Sequence, residues 1–352
     1  MNDNIVLKAA AQFGHGIPVV EKLGNGLINR TYKILFTDDA DPLVLQCLNQ
    51  RVFSRPENVI LNYRLIYNHL QQQSDVHIPA LVPSHHHKDY WIDADDNIWK
   101  ATAYIQDSYT HSVATSSRDA GAAASCFAAF VDALTGLDEH QLYIPLPNFH
   151  DLLLRYRQFE EAIEGGSIMR LLRATHVIAE LRQRKRLVGY YQHICNNGDY
   201  PVRLMHHDGK ISNILFHRTT SEAICPVDLD TVMPGHFFSD IGDLIRTMSC
   251  TVDENSTAWE KIDIQPAYYQ AIVQSYLSRT GELFTEQEKK DIHYSGLLMT
   301  YMQSLRFVTD FLNNDIYYQT NFPEQNLHRA LNQLILLEKL EEYLRDEVGF
   351  VV

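Results

Sequence analysis

One change of pattern constrains this chain more than any other. Up to about residue 105 the apolar residues fall in short β-branched runs, and beyond Arg118 they recur at helical spacing. In the first part, Val19 to Phe36 is a strand-turn-strand segment and Pro42 to Leu48 a further strand. Pro56-Glu57 opens a helix running to about Leu70, and residues 5–13 form a short leading helix. Residues 79–105 alternate as strands, with Asp93-Ala94-Asp95-Asp96-Asn97 turning a hairpin between Tyr90-Trp91-Ile92 and Ile98-Trp99. That run lacks the Gly and the distal Glu of a calcium loop, and His85-His86-His87 is expected in a solvated loop. Helices are then predicted over 118–135, 151–163, 168–195, 258–280, 285–313 and 324–347. The last presents Leu327, Leu331, Leu334, Ile335, Leu337 and Leu340 as a core stripe. The basic run Arg182, Arg184, Lys185 and Arg186 is expected to be a solvated face. This order predicts an α+β protein with a small β-rich N-lobe over 1–105, a larger helical C-lobe over 106–352 and a cleft between them.

A second stretch, Leu204 to Asp243, carries the chemistry. It contains His206-x-Asp208-x-x-x-x-Asn213 before the apolar Ile214, Leu215 and Phe216, and later Val227-Asp228-Leu229-Asp230. The first pattern alone occurs by chance in many chains. Here an apolar-Asp-x-Asp strand end follows it, and a glycine-rich turn lies upstream. That conjunction is the layout of a protein-kinase-like phosphoryl-transfer site. Such a reaction needs a carboxylate to orient the attacking hydroxyl and accept its proton, and hard oxygen ligands for Mg²⁺. Asp208 is accordingly the candidate base, with Asn213 and Asp228 as candidate metal ligands. Lys210 can reach the transferring phosphate as a point charge, and His206 braces the loop by hydrogen bonding. Gly24 and Gly26, between apolar flanks, allow backbone N–H groups to approach phosphates. Ile105 ends the last strand, where a kinase hinge offers backbone groups to adenine. The neighbours of His206 and His207 supply no zinc pattern.

The formal charge of −14 argues against non-specific binding to nucleic acid or to an anionic membrane. Five scattered cysteines form no CxxC pair, and no signal peptide or run of 18 apolar residues is apparent, so a cytoplasmic protein without a membrane span is expected. A monomer or weak homodimer is the expected assembly.

The chain resembles the aminoglycoside phosphotransferase/choline kinase superfamily and, within it, the N-acetylhexosamine 1-kinases. The resemblance runs through GNGLINRTY (24–32), VLQCLNQRVFSRPENVILN (44–62), WKATAYIQDSYT (99–110) and IPLPNFHD (144–151). It continues through HHDGKISNILF (206–216), VDLDTVMPG (227–235), DIGDLIR (240–246) and RFVTDFLNNDIYY (306–318). It implies an ATP- and Mg²⁺-dependent kinase that phosphorylates the anomeric hydroxyl of N-acetylglucosamine or N-acetylgalactosamine. It further implies that Gln46 lines the nucleotide pocket with Gly24 and Gly26, and that Asp230, Arg306 and Tyr317 contact the sugar. Two departures stand out. The family's Gln-Arg on the small-lobe strand is Gln46-Cys47 here, and its His-Asn-Asp-Thr-Lys is His206-His207-Asp208-Gly209-Lys210. A kinase ordinarily places its phosphate-pairing Lys on that strand, so Arg51 or Lys210 would have to compensate. The alternatives are a kinase of the same fold acting on an aminoglycoside or choline, and a non-catalytic nucleotide-binding protein.

Overall fold

A computed structural model describes residues 3–24, 28–37, 41–73 and 76–352. The chain divides into two compact units, the first comprising 1–109, 133–147 and 215–233, the second 110–132, 148–214 and 234–352. The chain leaves the first unit at 109, and two later segments, 133–147 and 215–233, return to it.

The first unit is built on an antiparallel sheet. Its strands are β1 (Pro18–Lys22), β2 (Arg30–Phe36), β3 (Leu43–Cys47), β4 (Leu81–Val82), β5 (Trp91–Ile92) and β6 (Ile98–Ala103), ordered β1-β2-β3-β6-β4 with β5 also on β6. Period-two alternation sends Leu43, Leu45 and Cys47 of β3, with Trp99 and Ala101 of β6, to one face. There they pack with Val6, Ala9 and Ala10 of α1 (Asp3–Ala10). Residues directly opposite across an antiparallel ladder share a face, so Gln46 and its partner Lys100 lie together on the other side. The Asp93 hairpin forms as expected, because the Asp93 carboxylate accepts the N–H groups of Asp95 and Asn97 and the Trp99 indole N–H, all at 2.9 Å. The histidines 85–87 are exposed. Helix α2 (Pro56–Gln73) and the strands β7 (Ser108–Tyr109), β9 (Ile214–His217) and β10 (Ala223–Pro226) complete this unit, β9 pairing both β7 and β10.

The second unit is helical. It contains α3 (Ser117–Ala133), α4 (Leu152–Gly165), α5 (Ile168–Gln183), α6 (Arg186–Cys195), α7 (Phe238–Met248), α8 (Pro266–Thr280), α9 (Glu286–Lys290), α10 (Tyr294–Leu312) and α11 (Gln325–Tyr343). Strands β8 (Arg203–Met205) and β11 (Met233–Gly235) pair with each other. Helix α10 is buried along most of its length and packs against α4, α5, α7 and α11. Its approach to α7 is close enough that a Cβ on Gly242 would come within 2.5 Å of the Ser295 carbonyl oxygen. Starts are locally encoded: the Asp151 carboxylate accepts the Leu154 N–H of α4, and Thr285 and Glu288 form a capping box on α9.

Several expectations change. The predicted helix over 168–195 breaks at Arg184-Lys185, that over 285–313 breaks before Tyr294, and that over 258–280 begins only at Pro266, whose fixed φ suits a first helical position. The basic run is not merely a solvated face. Arg184 is tied to Glu180, Glu338 and Glu341, Arg182 to Glu160, and Arg186 to Glu341, so the charges pin α5 and α6 to their neighbours. In the α11 stripe Leu331 and Ile335 are only half-buried while Leu336 is buried, a small rotation of the inward face.

Candidate active site

In the second unit, β8 leads into the loop His206–Asn213, whose shape is fixed from behind by one buried carboxylate. Asp240, in the first turn of α7, accepts the backbone N–H of His206 at 2.9 Å and of His207 at 2.7 Å. The His206 ring meets Phe127 edge-on at 5.0 Å and accepts the Asp208 N–H at Nδ1, 3.3 Å away. His207 adopts a left-handed backbone (φ 66°), and a Cβ on Gly209 would lie 2.5 Å from the Asp240 carbonyl oxygen. The loop therefore requires glycine at 209, which gives the departure from the family's Thr a local physical reason.

This frame presents Asp208, Lys210 and Asn213 together. Asp208 Oδ2 receives the Lys210 ammonium at 2.7 Å and the Asn213 amide N–H at 2.8 Å. Burial pushes the Asp208 carboxyl up, but Lys210 and these hydrogen bonds outweigh it and hold the group below the usual carboxylate range. Among the described residues Asp240 pairs with no such cation. Burial pushes it up to about 7 against its two backbone donors, with Asp243 and Asp208 adding like charge.

Beside this loop lies a face of aromatic rings around one guanidinium. The rings of His207 and His150 are 5.1 Å apart, and Phe149 stacks on His150 at 4.8 Å. Arg306 of α10 sits 5.6 Å from the Phe149 ring, 5.8 Å from Tyr317 and 5.6 Å from Tyr318. The fold thus brings Arg306 and Tyr317 together and connects them, ring by ring, to the residue preceding Asp208. Asp310 holds the Tyr317 and Tyr318 segment by accepting both backbone N–H groups at 2.8 and 2.9 Å. His150 is kept neutral, its pKa pushed well below the usual value by burial and by His207 and Arg306. Its Nδ1 is buried with no protein partner among the described residues. Sequence reasoning placed Phe149 and His150 only within a motif; their roles depend on α10 reaching them.

In the first unit, Asp228 adopts a left-handed backbone (φ 62°) before a short 3₁₀ turn, Leu229–Thr231. Asp230 is placed differently from its expected part as a sugar contact. Its carboxylate is 3% exposed; Oδ1 takes the Lys100 ammonium and Oδ2 the Asn29 amide N–H at 2.6 Å. With both oxygens engaged inside the unit, Asp230 is an internal anchor. Gln46 points to the Lys100 face and donates to Thr31 Oγ1 at 3.3 Å. Arg30 faces Cys47 across the ladder and donates to its Sγ at 2.9 Å, so a cation stands beside the position where the family carries Arg. Arg51 is exposed. Gly24 has φ 68°, a conformation glycine adopts readily, whereas Gly26 lies outside the described residues. The Ile105 carbonyl accepts the Ser108 hydroxyl at 2.6 Å. Lys100 is what sequence reasoning missed. The available signal was a charge inside IWKATA, a strand otherwise apolar or small.

The donors proposed for Mg²⁺ suit it chemically. Asp228 offers a carboxylate, and the Asn213 amide nitrogen faces Asp208, which leaves its oxygen as the end turned elsewhere. Both are hard oxygens, as a magnesium ion that completes its shell with phosphate and water prefers.

The sequence matches the phosphotransferase enzyme family over residues 19–283. Among solved structures, an aminoglycoside phosphotransferase from Alicyclobacillus acidocaldarius is similar with a TM-score of 0.63 at 13% identity, over 96% of each chain. A choline kinase from Streptococcus pneumoniae gives a TM-score of 0.57 at 13% identity, over 96% of this chain and 98% of that one. A spectinomycin phosphotransferase solved with ADP and spectinomycin gives 0.57 at 12% identity, over 96% and 97%. At these identities the likeness establishes the fold.

Proposed function

The chain belongs to the phosphotransferase enzyme family, and from that premise we propose that it transfers the γ-phosphoryl group of ATP to the anomeric hydroxyl of an N-acetylhexosamine. The observation that carries the acceptor class is the aromatic face around Arg306. A neutral sugar can lay its C–H surface on such rings while its hydroxyls and N-acetyl carbonyl accept from a guanidinium. A cationic amine would meet Arg306, and two acids of the neighbouring segment are already committed: Asp310 to the Tyr317 and Tyr318 backbone N–H groups and Asp315 to Arg170.

In the reaction proposed, Asp208 accepts a hydrogen bond from the sugar C1 hydroxyl and aims its oxygen at the γ-phosphorus. A new O–P bond forms, the bond to the bridging β–γ oxygen breaks, the proton passes to Asp208, and ADP leaves. Because Lys210 and Asn213 hold Asp208 below the ordinary range, it is a weak base that orients the hydroxyl and takes the proton late. That timing matches a loose, metaphosphate-like transfer. Lys210 supplies positive charge beside the base, and Asn213 and Asp228 would hold Mg²⁺. When bound, the ion neutralises charge developing on the phosphate oxygens.

A second reading, a kinase for a cationic amine, is favoured by the aminoglycoside and choline kinases among the similar structures and by the acidic chain. One experiment separates the two: Mg²⁺-ATP turnover against N-acetylglucosamine, N-acetylgalactosamine, glucose, choline and kanamycin, with phosphate position read by ³¹P NMR. An acid-labile anomeric phosphate on an N-acetylhexosamine is expected. Product on choline or kanamycin alone would sink the sugar reading. Nucleotide binding without any product would leave the non-catalytic alternative.

A further inference from the structure

The first unit holds a buried ion pair, Lys100 with Asp230, beside the strand position that lacks a kinase lysine. Kinases place a lysine on the small-lobe strand where this chain has Gln46. Lys100 stands directly opposite Gln46 on the neighbouring strand and therefore on the same face of the sheet. Yet it cannot serve as a phosphate contact in this arrangement. Lys100 is 1% exposed, its ammonium is bound to Asp230, and the Tyr63 ring of α2 covers it at 5.3 Å. Where a kinase helix would offer a glutamate to such a lysine, α2 offers Tyr63; its only acid is Glu57, in the first turn.

What the pair holds is more telling than what it lacks. Asp230 lies in the 3₁₀ turn that begins directly after Asp228, whose left-handed backbone persists only if its surroundings over-determine it. The second Asp230 oxygen takes the Asn29 side chain at 2.6 Å. Asn29 Oδ1 in turn accepts the Asn49 N–H at 3.0 Å, and Asn49 Nδ2 donates to the Ile28 carbonyl at 3.2 Å. One ion pair thus ties β6, the Asp228 turn, the exit of the glycine-rich hairpin and the end of β3.

We propose that Lys100 is a positioning residue that acts through Asp230: the pair clamps the Asp228 turn in the conformation that receives metal–nucleotide, so the cation kinases set against phosphate is here spent internally. This inference rests on the kinase reading given above. Removing an outer partner of a metal ligand typically lowers metal affinity roughly 10–100-fold. A purely structural ion pair behaves differently, since apolar residues of similar size replace such a pair with little loss of stability.

The test uses the full chain as K100M, D230L and the double variant K100M/D230L, each followed by thermal unfolding and by calorimetric ADP binding with and without Mg²⁺. Each single variant leaves a buried charge or cavity and is expected to melt well below the wild type. The double variant is expected to regain most of that loss while the Mg²⁺-dependent gain in ADP affinity falls roughly 10–100-fold and metal-free ADP affinity holds. A double variant that keeps the wild-type gain overturns the proposal. Should it fail to fold, D230N is read in the same way, and an unchanged gain there overturns it equally. A wild-type chain whose ADP affinity gains nothing from Mg²⁺ would instead fell the kinase reading and this inference with it.

Discussion

Asp208 and its neighbours show how much one loop can be asked to do at the scale of single residues. Replacing Asp208 by Asn keeps an acceptor for Lys210 or Asn213 but removes the proton acceptor. Turnover is therefore expected to fall roughly 10²–10⁴-fold, with nucleotide affinity and melting temperature little changed; near-wild-type turnover would remove Asp208 from the base's role. His207 allows a pH test. Burial pushes its pKa down to about 4, against about 6.5 in an unfolded chain. The folded state thus refuses a proton that the unfolded state takes. The associated stability is fully present above about pH 6.5 and is lost as pH falls toward 4, a term of up to about 3 kcal/mol. Asp240 acts in the opposite sense, because its raised pKa makes the folded state bind the extra proton between its unfolded value and about 7. Comparing wild type with H207N, whose Asn tolerates the left-handed backbone, isolates the histidine. The variant's unfolding free energy by urea titration is expected to decline less between pH 6.5 and 4, and parallel curves would contradict the assignment. Gly209→Ala, which drives a Cβ at the Asp240 carbonyl, is expected to lower the melting temperature because no side-chain motion relieves a backbone clash.

At the scale of elements, helix starts could be recognised from sequence because a cap lies next to what it caps. Asp151 before α4 and the Thr285–Glu288 box of α9 are two such cases. The breaks were less legible. Arg184-Lys185 interrupts a helical pattern without Pro or Gly, and what decides it is where Arg184 finds its acids. Glu180 is one turn away, but Glu338 and Glu341 come from α11. These partners set the energetic ranking. Arg184 is 12% exposed and paired three ways, whereas Arg182 is 47% exposed with one partner. Arg184→Met is expected to cost about 1–3 kcal/mol, and Arg182→Ala no more than about 0.5 kcal/mol. Chemical denaturation distinguishes them, and equal effects would mean the network contributes nothing beyond solvated charge.

At the scale of the whole molecule, a ligand that binds only folded chain must stabilise it. ADP with Mg²⁺ at a hundred times its dissociation constant is expected to add about 2.7 kcal/mol, visible as a raised melting temperature. Asp208→Asn should keep that rise and Asp228→Asn should lose its Mg²⁺-dependent part, an outcome opposite to which would exchange their roles. Among the described residues no helix is long and apolar enough to cross a membrane. The sequence by itself determined the α+β class, most element positions and the Asp208–Asn213 loop. Alternation, helical spacing, caps and the fixed His-x-Asp-x-x-x-x-Asn interval are all relations between near neighbours. Only the tertiary structure decided that Lys100 meets Asp230 across 130 positions, that Arg306 stands among Phe149, Tyr317 and Tyr318, and that Asp230 is an anchor. A charge in a strand states that it needs a partner, but which distant residue answers is settled by how the elements pack.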